Sequence, residues 1–358
     1  MPKSLDELRR RIDEIDARLL EMLVERARVA AEVGEAKETT DRAVYAPDRE
    51  AQLLRALTGR DLGPLEADSI EAVFREIISA CRGLQQLPSV AFLGPEHTFT
   101  HLAARKRFGH RAQFTPFPSI ADVFDAVERG RASFGVVPIQ NSTEGVVGLT
   151  LDCLLDTPLR ICAELYVQVH HFLAASGEVQ QIRQVRSHPQ VLAQCRRWLR
   201  ETLPRVEQVA TSSSSAAAGE AAAADDPAVA AICTREAAEA HGLSVLAENI
   251  EDLADNRTRF FVVGDLDVPP TGDDKTSIVF STPHRAGALH RALSAFALYE
   301  INLTMIQSRP ARGGLWEYVF FVDFEGHRDD PAAAAALKQL REFCPLLKVL
   351  GSYPAERS

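Results

Sequence analysis

GVVPIQNSTEG, residues 135–145, sets an apolar run (Val136, Val137, Pro138, Ile139) directly against a polar block, Gln140 to Glu144, closed by Gly145. One Gly or Pro is enough to stop a buried strand. A block of amides, hydroxyls and a carboxylate at a strand end is where an α/β sheet presents its ligand groups. Similar β-rich runs at 90–93, 229–233 and 260–263 alternate with helical stretches at 120–129 and 191–203. That alternation predicts an α/β domain over 88–266. Within it, SSSSAAAGEAAAADDP (212–227) reads as an Ala-rich helix with a Ser/Thr N-cap, because a strand-like run follows at once.

The rest of the chain bounds what this domain serves. At 358 residues it exceeds what one core usually fills, and 46% hydrophobic with 25% charged residues is a globular composition. A net charge of -10 argues against a general nucleic-acid binder, since phosphate contacts need clustered Lys and Arg. The opening MPKSLDELRRRIDE has no apolar core of the secretory kind, and no apolar run approaches the ~18 residues of a membrane span. Six scattered cysteines form no CxxC pair, which suits reduced thiols better than disulfides or zinc. The expected location is cytoplasmic, with no metal, no nucleic acid and no membrane partner.

Upstream, over 1–87, the period is helical. Leu5, Leu8, Ile12, Ile15, Leu19 and Met22, then Val29 and Val33, recur at steps of three and four and form a heptad-like stripe on one long helix. Pro47 suits the first position of a second helix running to about Thr58, and a third follows with Ile70, Phe74, Ile77, Ile78, Cys81 and Leu84 on one face. Three such helices are little core for one copy, so a helical dimer is expected. Downstream, 267–274 (DVPPTGDD) reads as a linker, and 275–358 runs strand, helix, strand, strand, helix, strand. That βαββαβ order is ferredoxin-like.

Arg26 occupies a stripe position that calls for an apolar side chain, and a charge is rarely buried without a partner. Lys37 lies eleven residues on, about 20° around the helix. With Arg49 and Gln85 these residues suggest an anion site inside a bundle; an interhelical ion pair would explain Arg26 alone. L-R-x-x-I-x-x-I-D (8–16), E-R (25–26), V-G-x-A-K (33–37), D-R-E (48–50) and the pair Cys81/Gln85 resemble the small all-helical chorismate mutases. The resemblance implies an interlocked dimer whose site holds chorismate, a dicarboxylate. Arg26, Lys37, Arg49, Glu50 and Gln85 would line one site, and Arg9 would reach in from the partner chain. Ala46 stands where the family commonly has Asp, and Cys81 where Ser is frequent. A pericyclic rearrangement needs no nucleophile; it needs a held conformer and donors, here Lys37 and Gln85, at the ether oxygen.

In the α/β segment, FLGPEHTFTHLAA (92–104) reads as a strand, a turn and a helix start capped by Thr98 or Thr100. Together with the opening block, SHPQ (187–190) and DNRTRFFVV (255–263), it resembles the prephenate dehydratases, in which such blocks converge between two subdomains of a periplasmic-binding-protein-like fold. The resemblance carries over to Asn141, Ser142, Thr143, His188, Gln190, Gln194, Thr258, Arg259 and Phe260. Prephenate loses carbon dioxide and its ring hydroxyl, and aromatisation drives the reaction, so no cofactor is implied. Thr258 is the expected donor to the departing hydroxyl and Arg259 the expected carboxylate ligand. His188 is a second candidate acid, and its place before Pro189 equally suits a helix cap. Gln140 replaces the family's usual Glu; it keeps the shape but cannot exchange a proton. His97 stands where relatives commonly show Gly.

RAGALHRAL (285–293) and NLTMIQSRP (302–310) resemble blocks of the ACT regulatory domain, which implies a phenylalanine site between paired domains at Gly287, Ala288, Leu289, Asn302, Leu303, Gln307, Ser308, Arg309 and Pro310. Gln307 again replaces Glu. The expected whole is a bifunctional chorismate mutase and prephenate dehydratase under phenylalanine feedback. The alternatives are an arogenate dehydratase, or a mutase with a silent dehydratase-like domain serving as an amino-acid sensor.

Overall fold

The computed structural model describes residues 4–38, 45–85, 87–310 and 318–356, with only the backbone of residues 37 and 38. It divides into two compact units: Met1–Pro88 with Arg107–Gln113, and Ser89–Lys106 with Phe114–Ser358.

The first unit is helical. α1 (Leu5–Glu38) is long, α2 (Pro47–Thr58) starts on Pro47 as its sequence predicts, and α3 (Ala67–Arg82) ends at Gly83. Gln85 therefore lies in the turn beyond α3, although spacing had put it on the helix with Cys81. The residues of Arg107–Gln113, expected in the α/β domain, group here: Ser79 donates to the Phe108 carbonyl at 2.8 Å, and Arg107 Nε donates to the Tyr45 hydroxyl at 2.6 Å. The stripe on α1 is not covered. Leu5 is 62% exposed and Met22 67%, with Leu8, Ile12, Ile15 and Leu19 also in solvent. Each such side chain forgoes ~1.5–3 kcal/mol of burial.

The second unit holds three sheets. Along the chain come β1 (Ser89–Leu93), α4 (Phe99–Phe108), β2 (Gln113–Phe117), α5 (Ile120–Glu128), β3 (Phe134–Asn141), β4 (Gly145–Val146), α6 (Gly148–Asp156) and β5 (Arg160–Gln168). After this lobe the chain crosses to β6 (Phe172–Ala175), β7 (Gln184–Ser187), α7 (Pro189–Gln194), α8 (Arg196–Thr202), β8 (Glu207–Ala210), α9 (Ser214–Ala223), β9 (Val229–Cys233), α10 (Arg235–Ala240) and β10 (Ser244–Ala247). It then returns in β11 (Arg257–Gly264). The sheet orders are β2-β1-β3-β11-β5, with β4 on β3, and β10-β6-β9-β7-β8. Two lobes joined by two adjacent crossings result, the crossings tied where Val169 N donates to the Asn256 carbonyl at 2.7 Å. The Ala-rich helix is α9, capped as expected by Ser213, which accepts from Ala216 N at 2.9 Å. The single helix expected over 191–203 is instead α7 and α8, broken at Cys195.

The third sheet comprises β12 (Asp274–Ser281), β13 (Leu303–Pro310), β14 (Tyr318–Glu325) and β15 (Leu347–Pro354) in the order β13-β14-β12-β15, backed by α11 (Ala288–Leu298) and α12 (Pro331–Phe343). It does not stand apart. Val279, Val319, Phe321, Leu350 and Tyr353 share one buried cluster with Val137, Ile139, Leu151 and Phe261 of the first lobe. A Cβ on Gly351 would lie 2.2 Å from the Ile161 carbonyl oxygen, so β15 crosses β5 at a distance only glycine permits. The expected linker is also pinned: Val268 is buried, and its carbonyl meets His327 Nε2 at 2.9 Å.

Candidate active sites

In the helical unit, α1 and the end of α3 bring Arg26, Cys81 and Gln85 together. Arg26 is half-buried, and its Nη1 donates to Cys81 Sγ at 2.8 Å. No carboxylate pairs with it among the described residues. A guanidinium facing only a thiol has most of its donors left for a ligand. Gln85 Nε2 donates to the Ala30 carbonyl at 2.5 Å, so one of the two amide protons expected to serve the substrate is already committed. Ala46 is half-buried at the start of α2. Arg49 is exposed, and Arg9 is exposed with Asp6 at 4.0 Å. The side chain of Lys37 lies outside the described residues.

Glu50 departs from expectation. It is 4% exposed and held by Arg82 at 2.7 Å, Arg75 at 3.5 Å and Arg107 at 3.6 Å, while Tyr45 sits under the Arg82 and Arg107 guanidinium groups. Burial alone would push its carboxyl up, but Arg107, Arg82 and Arg75 together outweigh that and hold it below the usual range. Its role here is an anchor inside the unit. Arg75, Arg82 and Arg107 carry no motif in the sequence, which is why they were missed.

In the second unit the strand end of β3 forms a bracket around Asn141. Its Nδ2 donates to Thr258 Oγ1 and Asn256 Oδ1, each at 2.9 Å. Its Oδ1 accepts from Thr143 Oγ1 at 2.6 Å, Thr143 N at 3.0 Å and Glu144 N at 3.2 Å. Ser142 accepts from Arg257 N at 3.0 Å and donates to the Asp255 carbonyl at 3.2 Å. Across the lobes, Gln194 at the end of α7 donates through Nε2 to Glu144 Oε1 at 3.0 Å and approaches Thr143 Oγ1 at 3.4 Å. Its Oε1 meets Nε2 of buried His171 at 2.8 Å. Asn141, Ser142, Thr143, Thr258 and Gln194 thus converge; Gln140, half-buried in β3 and in register with Arg259, falls on the face opposite Thr258 by pleat alternation. Thr98 accepts from His101 N at 3.4 Å at the start of α4, and His97 beside it has φ 63°, a conformation that Gly adopts freely.

Three expected site residues do different work. His188 is the cap of α7, its Nδ1 accepting from the backbone N of Gln190 at 3.4 Å. Phe260 is 1% exposed in the core. Arg259, on the strand face opposite Thr258 by pleat alternation, is 5% exposed and wholly engaged. Its Nε donates to Glu164 at 2.7 Å, Nη1 to Asp323 at 2.5 Å and Nη2 to the Tyr353 hydroxyl at 3.2 Å, and Lys275 meets the other Glu164 oxygen at 2.7 Å. It ties β11 to β5, β14 and β15 and cannot hold a substrate carboxylate. Its partners lie up to 95 positions away, beyond what a motif reveals.

In the third sheet, Gly287 (φ 75°), Ala288 and Leu289 border a cavity of about 300 Å³ closed by His284, Arg285, Tyr318 and Phe320. The strand residues fall elsewhere. Asn302 donates to Glu325 at 3.0 Å, Leu303 is half-buried, and Ser308 and Pro310 are exposed along β13. Gln307 Nε2 only reaches the Ser308 carbonyl at 3.2 Å. Arg309 forms a two-pronged pair with Asp152 of α6, both bonds 2.8 Å, in a space that Gly148 leaves open. In this chain it is a bridge from β13 to α6 of the first lobe.

No helix among the described residues is long and apolar enough to cross a membrane. Residues 8–86 match the chorismate mutase type II family, 90–267 the prephenate dehydratase family and 276–342 the ACT domain. A bifunctional chorismate mutase/prephenate dehydratase of Pseudomonas aeruginosa is 45% identical, and one of Aquifex aeolicus 44%, each match covering 98% of both chains. The crystal structure of a prephenate dehydratase from Arthrobacter aurescens in complex with L-Phe is 38% identical, with a TM-score of 0.69, over 74% of this chain and 89% of that one. The chain belongs to the bifunctional chorismate mutase/prephenate dehydratases, enzymes of phenylalanine biosynthesis that join an isomerase, a lyase and an ACT regulatory domain.

Proposed function

We propose that the two reactions divide between the units. In the helical unit Arg26, with Lys37, Arg49 and Gln85, grips the two carboxylates of chorismate and stabilises the charge that grows on its ether oxygen. A second copy covers the apolar stripe of α1 and supplies Arg9. The observation that carries this reading is Arg26, half-buried against Cys81 with no acidic partner among the described residues, on a 34-residue helix whose apolar face meets water. Charge-assisted bonds to a carboxylate contribute ~1.5–3 kcal/mol each, enough to hold a dianion.

In the second unit prephenate lies against the Asn141 bracket, with Thr258 donating to the ring hydroxyl and Gln194 closing the opposite wall. The site offers amides, hydroxyls and the carboxyl of Glu144, and the reaction, driven by aromatisation, expels carbon dioxide and water without a cofactor. Domain limits of 1–87, 88–266 and 275–358, and a cytoplasmic location, accompany this reading. Phenylalanine occupies the cavity at Gly287–Leu289 together with β13 of a paired domain.

Chorismate supplied to the purified protein tests the division when prephenate and phenylpyruvate are followed separately. Both should form, and Thr258→Ala should stop only the second. A wild-type phenylpyruvate rate no higher than that of Thr258→Ala would instead identify a silent dehydratase domain. Gln140→Glu then reads what the missing carboxyl would add.

A further inference from the structure

We propose that Glu144 is the proton donor of the dehydratase. This rests on the placement of prephenate at the Asn141 bracket and names a further catalytic residue for it.

Gln140 carries no exchangeable acid and falls on the face opposite Thr258, whereas the polar block does hold one carboxyl, that of Glu144. Glu144 is four residues on, at the far end of the same polar block. Its backbone N–H is anchored on Asn141 Oδ1 at 3.2 Å, while Nδ2 of the same side chain holds Thr258 Oγ1 at 2.9 Å. One amide therefore fixes the carboxyl-bearing residue and the candidate hydroxyl donor together. Gln194 reaches across from α7 and donates to Glu144 Oε1 at 3.0 Å. Because its nitrogen is spent there, its oxygen faces His171, which must carry its proton on Nε2. His171 is 1% exposed and shifted down by burial, which favours its neutral form, and the tautomer protonated on Nε2 is the one that matches this amide orientation.

The arrangement leaves Oε2 of Glu144 without a partner among the described residues. A carboxylic acid needs this arrangement: one oxygen accepts from Gln194 and the other carries the proton. Partial burial pushes the Glu144 carboxyl up, and the opposing pulls of Gln194 and nearby His188 do not cancel it. His188 at the start of α7 and, behind Gln194, His171 are the titratable groups facing it; Asp255 and Arg257 meet the same loop through backbone atoms bonded to Ser142 and Asn141.

The step balances. The ring C–O bond breaks as the hydroxyl takes the proton from Oε2 and leaves as water. The bond from ring carbon to carboxylate breaks, its electron pair completes the aromatic ring, and carbon dioxide departs. Glu144 is left as carboxylate and regains its proton from solvent.

Glu144→Gln, assayed in the full-length protein with prephenate, should lose 10²–10⁴-fold in kcat, the range for a positioned acid, while chorismate mutase activity is retained. Wild-type kcat/KM should fall as pH rises through the acid's pKa, and this alkaline limb should vanish in Glu144→Gln. Acetate should restore part of the rate of Glu144→Ala, which a structural role would not allow. Glu144→Gln with wild-type kcat and pH profile, beside an inactive Thr258→Ala, overturns the proposal and leaves the site standing. Full activity in both variants overturns the site itself.

Discussion

The mutase unit and the dehydratase lobes treat charge in opposite ways. In the lobes a buried cation is consumed by structure: Arg259 is divided among Glu164, Asp323 and Tyr353. The candidate site there is built of amides and hydroxyls around the one carboxyl of Glu144, closed on itself by Gln194. In the helical unit, Arg26 is left facing a thiol, and a long apolar face is left facing water. The difference follows from the chemistry. Both substrates are dianions, but the rearrangement alone builds charge on an ether oxygen, which calls for free cationic donors such as Arg26. Expelling carbon dioxide and water calls for oriented donors at one hydroxyl, which the strand end and Gln194 set in place.

The sharpest way to break that contrast is Ile12→Glu. Ile12 is 56% exposed in one copy, so the change costs that copy no packing. It should still reduce mutase activity by at least about 100-fold and shift sedimentation towards a smaller species, with phenylpyruvate formation from prephenate kept. Unchanged mutase kinetics would mean that one chain completes the site. Arg259→Met comes next. Removing one partner of a buried pair costs ~3–5 kcal/mol, so the second unit should unfold at markedly lower urea while the helical unit keeps its midpoint.

A smaller effect separates the two by pH. The Glu50 carboxyl is depressed in the folded unit, so its contribution is complete above the unfolded value of about 4.3 and is lost as pH falls through the lower folded value. Urea midpoints of the helical unit should therefore drop below about pH 4.5, and Glu50→Gln should be less stable at pH 7 with a flatter acid slope. The mildest change is Asp152→Asn. The Arg309 pair is partly exposed and contributes ~1 kcal/mol, so phenylalanine inhibition should shift by about fivefold or less, with uninhibited dehydratase activity kept.

Much of this was legible in the sequence because it is local. Pro47 starts α2, Ser213 caps the Ala-rich α9, and the polar block at 140–144 does end a strand at a convergence of lobes. Arg26 was legible as a charge in an apolar stripe. What escaped was decided by distant partners. Arg259 stands in a motif beside Thr258, yet the pleat turns it the other way, into acids contributed by β5 and β14. Arg309 reads as a ligand residue until Asp152 is brought to it. Glu144 was in view throughout, but only the crossing from α7 sets Gln194 against it.

At Gly351 the regulatory sheet touches the catalytic lobe backbone to backbone, with no side chain between. The seam cannot be loosened by trimming a residue there, and any replacement would prise it open. A protease that nicked 267–274 should accordingly yield two fragments that co-elute under native conditions. Grafting this sensor onto another enzyme would require transplanting β5 with it.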